Sequence, residues 1–377
     1  MKRILFLAHV DIAKRNGVGL ASLAYYNAVC KAYPNQVDLM MPLEACKGKY
    51  SNAIGVPSRS HIKAILSGSM HRYKSFLKDF LIKHKGQYSL CIINGGRYAG
   101  DMIDMVHGFG LKTMVIYHNF AREYNMDNKT IFTLWGLTPF LINRVEKKAY
   151  YNSDCNCFLT PDDLTLFQSY YGIAKCKSYI LGVFEPEVFE NIQVGINSER
   201  KIAITGSMNT YQTMCGIKDV KENYYNIIKE LCPDWELVIA GRNPHQEVYD
   251  LQQLNPEYIR VVPNPEVMDD ITRPASIFLC PTNVGGGLKL RVMDGLRQGL
   301  PVLVHNVSAR GYNAFFEKPY FQIYHDKDTF KQGLTNLLKY IEAGLDKSKI
   351  QNDYITLFGF ERGCEVMKNA IDSMQLS

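Results

Sequence analysis

One stretch constrains the fold of this chain more than any other: ASIFLCPTNVGGGLKLRVMDGLRQGLPVLVHNVSARG, residues 275–311. Residues 277–280 form a short apolar run closed by Pro281 and Thr282, the pattern of a buried strand. Three glycines follow at 285–287. Over 288–298 the apolar residues fall at 288, 290, 292, 293 and 296, which is helical spacing. Gly299 and Pro301 stop that helix, and residues 302–304 open a second buried strand. Strand, glycine loop, helix and strand together make one unit of a parallel α/β sheet.

Three glycines before a helix let the backbone approach a ligand and leave the helix's first N–H groups uncovered, an arrangement that favours an anion such as phosphate. The spacing places Lys289 and Arg291 in the first helical turn. Cations there oppose the helix dipole, which makes sense beside a bound anion. Asp294 falls one turn further on, where its carboxylate can accept hydrogen bonds from sugar hydroxyls. The competing reading is a glycine loop that serves only tight helix–strand packing.

The chain's 377 residues suit two domains or one large one. A hydrophobic fraction of 46% against 21% charged residues excludes a disordered chain. The net charge of +6 fits an anionic ligand or an anionic membrane surface and does not call for nucleic acid. Ten cysteines occur without a C-x-x-C pair, and Cys155 and Cys157 stand too close for zinc spacing, so they read as reduced, buried residues of a cytoplasmic protein. The opening MKRILFLAHVD reads as a first strand, because its apolar run is short and Asp11 interrupts it. No run approaches the ~18 apolar residues of a membrane span.

The same strand–loop–helix logic recurs along the chain. Residues 4–8 form a strand, a loop runs to Gly17 and Gly19, and a helix is expected over about 20–31. Further strands are expected at 37–41, 89–94, 113–117, 151–159, 201–205, 235–240 and 259–262. Several end in residues suited to ligands: Arg97 after a Gly-Gly pair, His118 and Asn119, Gly206 and Ser207, Arg242, and Pro263. The carboxyl ends of parallel strands are where open α/β sheets bind. Asp162 or Asp163 reads as a helix N-cap. Residues 59–85 form a basic amphipathic stripe, either a surface helix packed on the core or one that lies on an anionic membrane.

GGGLKLRVMDGLRQGLPVLV resembles the nucleotide-sugar-binding segment of GT-B glycosyltransferases, above all the retaining family-4 type, whose pattern is roughly GGG-x-K-x-(K/R)-V-x-E-x-L-x-x-G-x-P-V-V. Asp294 stands where many relatives carry Glu, one methylene shorter toward a ribose. HNFAREY at 118–124 is similar to the family's cleft-histidine segment, and the loops at 17–19 and 206–207 to its phosphate-facing loops. The resemblance implies an α/β GT-B fold of two Rossmann-like domains facing a cleft. The first would span 1–182, completed by 356–377, and the second 183–355. It implies an enzyme that moves a sugar from a nucleotide-sugar donor to a glycan or lipid-linked glycan, as in bacterial-type surface polysaccharide synthesis, with retention. His118 would be catalytic. Gly17, Gly19, Gly206, Ser207, Arg242, Pro263, Gly285, Gly286, Gly287, Lys289, Arg291 and Asp294 would hold the donor, and Arg97 and Asn119 the acceptor. Neither metal nor other cofactor is expected, and cations with backbone N–H groups take the metal's part. The expected location is cytoplasmic, with peripheral contact to the inner membrane face through 59–85. Two alternatives are a GT-B nucleotide-sugar 2-epimerase and a catalytically silent glycan- or partner-binding subunit.

Overall fold

Strand β1, Arg3–Ala8, is buried from Ile4 onward, and it is an inner strand of a seven-stranded parallel sheet. A continuous apolar run is what a strand needs when helices cover both faces of its sheet. The computed structural model describes residues 2–14, 17–57, 73–121, 137–188 and 199–375. It divides into two units, Met1–Val188 with Phe358–Ser377, and Phe189–Leu357.

The other strands of the first unit are β2 (Val37–Pro42), β3 (Ile54–Val56), β4 (Tyr88–Asn94), β5 (Lys112–Tyr117), β6 (Cys155–Phe158) and β7 (Lys177–Ile180). Their order is β3-β2-β1-β4-β5-β6-β7. The chain therefore leaves β1 toward β2 on one side and returns to pair β4 on the other. Ala8 lies opposite Asn94, and Asn94 opposite Ile116. The carboxyl ends of β1, β4 and β5 thus form one level row. The C-terminal helix Phe360–Asp372 packs on the helix Gly17–Ala32. Lys31 pairs with Glu361, Tyr33 donates to Asp372, and the Phe184 ring occupies the space a side chain at Gly363 would need.

The second unit holds β8 (Lys201–Ser207), β9 (Glu236–Arg242), β10 (Ile259–Pro263), β11 (Ile277–Cys280), β12 (Val302–His305) and β13 (Phe321–Tyr324), all parallel, in the order β10-β9-β8-β11-β12-β13. Gly206 pairs with Gly241, and Gly241 with Pro263. A Cβ at Gly241 would stand 1.7 Å from the Gly206 carbonyl oxygen, so the close approach of these strand ends requires glycine there.

Several sequence expectations are corrected. The helix expected over 288–298 is Arg291–Arg297, so Lys289 precedes it rather than lying in its first turn. Gly285 and Gly287 both have positive φ, and the loop they wind extends to Leu290. The first helix already includes Gly17, ahead of the start expected near residue 20, so Gly17 and Gly19 are helical rather than loop residues. The strand expected from Tyr151 begins at Cys155, because the helix Leu137–Asn152 runs that far. The N-cap near Asp162 is Thr160, whose Oγ1 accepts from the Asp163 N–H at 3.0 Å. Of the stripe at 59–85, residues 59–72 lie outside the described residues. Its later part is the helix Lys74–Lys83, whose Leu77 and Leu81 are buried in the first unit's core. Among the described residues no helix is long and apolar enough to cross a membrane, and no group of three His, Cys, Asp or Glu side chains could hold a metal ion.

Candidate functional site

In the first unit, polar side chains gather where the sheet order reverses, between β1 and β4. Asn94, the last residue of β4, is fully buried and makes three hydrogen bonds. Its Nδ2 lies 2.7 Å from Ser22 Oγ, its Oδ1 2.7 Å from His118 Nε2, and its carbonyl oxygen 2.6 Å from His9 Nδ1. His9 directly follows β1, His118 directly follows β5, and Ser22 lies on the helix after β1. The level strand ends bring all four together. Gly95, at φ 127°, makes room for the His9 ring: a Cβ there would stand 2.2 Å from His9 Cε1.

Burial pushes the His118 imidazole down to about 3, with His9 acting in the same direction. At neutral pH the ring is uncharged. It lies on Tyr25, ring centroids 6.1 Å apart, and keeps some exposure. Asn119 beside it is half-buried, as is Arg97 beyond the Gly95-Gly96 pair. Behind them, Glu146 is buried on the helix Leu137–Asn152. The Ala121 N–H lies 3.3 Å from each of its carboxyl oxygens, and Tyr171 Oη donates at 3.4 Å. Burial pushes this carboxyl up to about 8 against those hydrogen bonds and the charge of Arg97. Gly17 is exposed and Gly19 buried near the start of the helix Gly17–Ala32.

The second unit has its own reversal between β8 and β11, and there the groups are cationic. The glycine loop follows β11. Lys289 is buried and curls back so that Nζ donates to the carbonyls of Gly285 at 2.7 Å and Gly286 at 2.9 Å. Tyr312 Oη fixes the same residue from below by donating to the Lys289 carbonyl at 2.9 Å. Gly285 has φ 91°, a conformation that favours glycine, and faces the Gln212 amide, whose Nε2 would be 2.2 Å from a Cβ there. Arg291 lays its guanidinium against the end of β8: a Cβ at Gly206 would be 2.9 Å from Arg291 Cζ and Nη1. Burial pushes the Arg291 guanidinium down from its ordinary value, while Asp294 favours the charged form.

Gly206, Ser207, Arg242 and Pro263 end three neighbouring strands and are in register. Arg291 joins that row to the glycine loop. Asp294 lies on the next turn, and its carboxylate pairs with Arg297 at 3.4 Å. The turns after β9 and β10 are held by Asn243 and Asn264, both at positive φ, with the Asn243 N–H donating to Asn264 Oδ1 at 2.9 Å. Sequence reasoning missed Ser22, His9, Asn94, Glu146 and Gln212. The available signal for Asn94 was a polar residue ending an otherwise apolar strand just before two glycines.

Residues 199–339 match a family model described as Glycosyl transferases group 1. Among solved structures, the chain is similar to a glycosyltransferase from Rickettsia africae, with TM-score 0.70, 10% identity and 98% of each chain covered. HepE of Anabaena, solved in complex with UDP-glucose, matches at TM-score 0.66 and 10% identity over 99% of this chain and 100% of that one. The sucrose-phosphate synthase of Thermosynechococcus elongatus matches at TM-score 0.64 and 14% identity over 100% and 98%. At such identities the structural likeness is one of fold, which is GT-B. Comparison with curated proteins found no match.

Proposed function

Because the chain carries a glycosyl transferases group 1 domain and is a glycosyltransferase of GT-B fold, we propose that its donor is a nucleoside-diphosphate sugar held by the second unit. The observation that carries this reading is Arg291. A guanidinium laid against Gly206, beside a positive-φ glycine loop and at the sheet's reversal, is suited to a diphosphate. In this reading Lys289 is chiefly the brace of the loop, Arg291 the direct cation, and Asp294 the group for a ribose hydroxyl. Ser207, Arg242 and Pro263 line the row on which the nucleotide lies.

The reading continues to a metal-independent, retaining transfer. The bond from the anomeric carbon to the phosphate oxygen breaks, the acceptor oxygen bonds to that carbon, and the departing phosphate takes the acceptor's proton. Cation and backbone N–H groups support the leaving group in place of a divalent ion. His118, neutral at working pH, hydrogen-bonds the sugar and braces charge near the anomeric carbon. The acceptor is a glycan or lipid-linked glycan of the surface-polysaccharide class, met from the cytoplasmic side. Arg97 and Asn119 are the candidate acceptor contacts. Peripheral membrane contact through the described part of 59–85 uses the exposed cations Lys78, Lys83 and Lys85, since Leu77 and Leu81 are in the core.

The test is calorimetry with UDP, GDP and ADP, followed by turnover of the matching sugar nucleotides in EDTA, with and without a glycan acceptor panel. Release of nucleoside diphosphate supports the reading. Binding without turnover points to a silent subunit, and an epimerised donor without transfer points to a 2-epimerase. Activity abolished by EDTA and restored by a divalent ion overturns the metal-independent route.

A further inference from the structure

The hydrogen bonds around Asn94 determine which nitrogen of His118 carries its proton. Ser22 Oγ lies 2.6 Å from the Val18 carbonyl oxygen, which can only accept, so the hydroxyl proton lies on that bond. Ser22 Oγ therefore accepts from Asn94, and the amide atom facing it, 2.7 Å away, must be the NH2. That leaves the Asn94 carbonyl oxygen facing His118 Nε2 at 2.7 Å. An amide oxygen offers no proton, so Nε2 must carry one. A neutral imidazole protonated at Nε2 has one acceptor left, the Nδ1 lone pair. The Asn94 backbone carbonyl is also engaged, by the Nδ1–H of His9, so Asn94 is held from both its main chain and its side chain.

We propose that Asn94 and Ser22 are positioning residues that lock His118 as its Nε2–H tautomer, so that it meets substrate as a hydrogen-bond acceptor and selects a sugar hydroxyl rather than an anionic oxygen. A ring free to swap tautomers, or one charged at Nδ1, would donate there and would welcome phosphate. The locked ring accepts only, and a hydroxyl is the part of a sugar nucleotide that can donate to it. This rests on the proposed donor chemistry for its substrate, but the tautomer itself does not depend on it.

Imidazole 15N NMR on the full chain, with His118 assigned by comparison with His118→Gln, reads the tautomer directly. The expected result is a neutral Nε2–H ring in wild type at pH 7. In Ser22→Ala the amide loses its partner and can turn over, and a mixture of the two tautomers is expected. Alanine suits that helical position, and an unchanged melting temperature confirms the fold. Turnover of whichever sugar nucleotide the panel above identifies should fall roughly tenfold in Ser22→Ala, with nucleoside diphosphate affinity unchanged. Asn94→Asp offers an acceptor-only group and should keep the proton on Nε2. A wild-type ring protonated at Nδ1, or charged at pH 7, overturns the proposal. So does a Ser22→Ala protein whose tautomer mixes while turnover holds. If no sugar nucleotide is turned over, the donor reading fails and with it the assigned role, while the 15N spectrum still decides the lock.

Discussion

The two sheets share a plan and differ in what they place at its critical point. Each is a parallel sheet whose order reverses once, between β1 and β4 in the first unit and between β8 and β11 in the second. At the first reversal stand two imidazoles, a carboxamide and a hydroxyl, joined by short hydrogen bonds. At the second stand a lysine, an arginine and a glycine loop. A hydrogen-bonded polar network and a buried cationic one are stabilised by different ligands. The first matches uncharged hydroxyls, whose partners need correct donor and acceptor placement. In the proposed reading the second receives a diphosphate, whose charge would offset the desolvation of Arg291 and Lys289. The same topology therefore carries a hydrogen-bonded polar set in one unit and a cationic set in the other.

Breaking the neutral half should have the largest effect. His118→Ala is expected to lower turnover by about a hundredfold or more, the size of a lost transition-state hydrogen bond. Binding of the bare nucleoside diphosphate should hold, because that ligand lacks the sugar. His118→Gln should keep part of the activity. If His118→Ala instead melts early and loses nucleotide binding and turnover together, the ring is a packing residue and the division between the two halves fails.

Breaking the cationic half should show the reverse signature. Arg291→Ala is expected to weaken nucleoside diphosphate binding about ten- to hundredfold, from the roughly 1.5–3 kcal/mol of a charge-assisted contact. Lys289→Ala should weaken binding by a similar factor but also lower the melting temperature, since Nζ braces the carbonyls of Gly285 and Gly286. Calorimetry beside thermal melts distinguishes them. Unchanged affinity in a folded Arg291→Ala protein removes the phosphate assignment.

The cationic half was far more legible in the sequence than the neutral one. Residues 275–304 lie in one continuous stretch, and their glycines, cations and flanking strands follow one another in the order in which they act. Even so, the helix there starts at Arg291, because glycine periodicity cannot show where a positive-φ loop stops winding. The neutral half is assembled from His9, Ser22, Asn94 and His118, four residues on separate elements. Strand register and the seating of the first helix bring them together, and one sequence reveals neither. His118 was visible because it follows a clear strand. Asn94 was visible only as a strand end, and Ser22 is an ordinary helix residue until its neighbours are known. The edge strands β3, β7 and β13, three to four residues each, carried too short an apolar pattern to be read.

The neutral half should also be the more sensitive to pH. Glu146 holds its proton in the folded chain up to about pH 8 and releases it near 4.5 when unfolded. Between those values the unfolded state binds fewer protons, so stability falls as pH rises through that window. His118 works the other way. Folded, it takes a proton only near pH 3; unfolded, near 6.5. Stability therefore falls as pH drops from 6.5 toward 3. Glu146→Gln should flatten the alkaline limb of a melting-temperature profile, and His118→Gln the acid limb, each by at most a few kcal/mol. A Glu146→Gln profile that still declines from pH 5 to 8 as in wild type would place that carboxyl in ordinary ionised form.

The smallest expected effect asks whether the first unit's surface cations bind an anion at all, as the second unit's buried ones are proposed to do. Lys78 is exposed on the helix Lys74–Lys83 and Lys74 half-exposed, while Leu77 and Leu81 on the other side are in the core. Such a helix cannot insert its apolar face without unpacking the unit, so membrane contact would be electrostatic alone. Each lysine close to an anionic surface contributes about 1 kcal/mol, roughly fivefold in partition, and the attraction is screened within a Debye length. Flotation with vesicles rich in anionic lipid should therefore fall as salt rises from 50 to about 300 mM, and Lys74→Glu with Lys78→Glu should lower it further, with no change on neutral vesicles. Nucleoside diphosphate affinity should not move in that double variant, because neither lysine lies in the second unit. Flotation that persists at high salt, or that is equal on neutral lipid, would mean an apolar insertion that the packing of Leu77 and Leu81 does not allow. No flotation on anionic lipid would leave these cations as a solvated face, and the anion chemistry of the molecule would rest with Arg291 and Lys289.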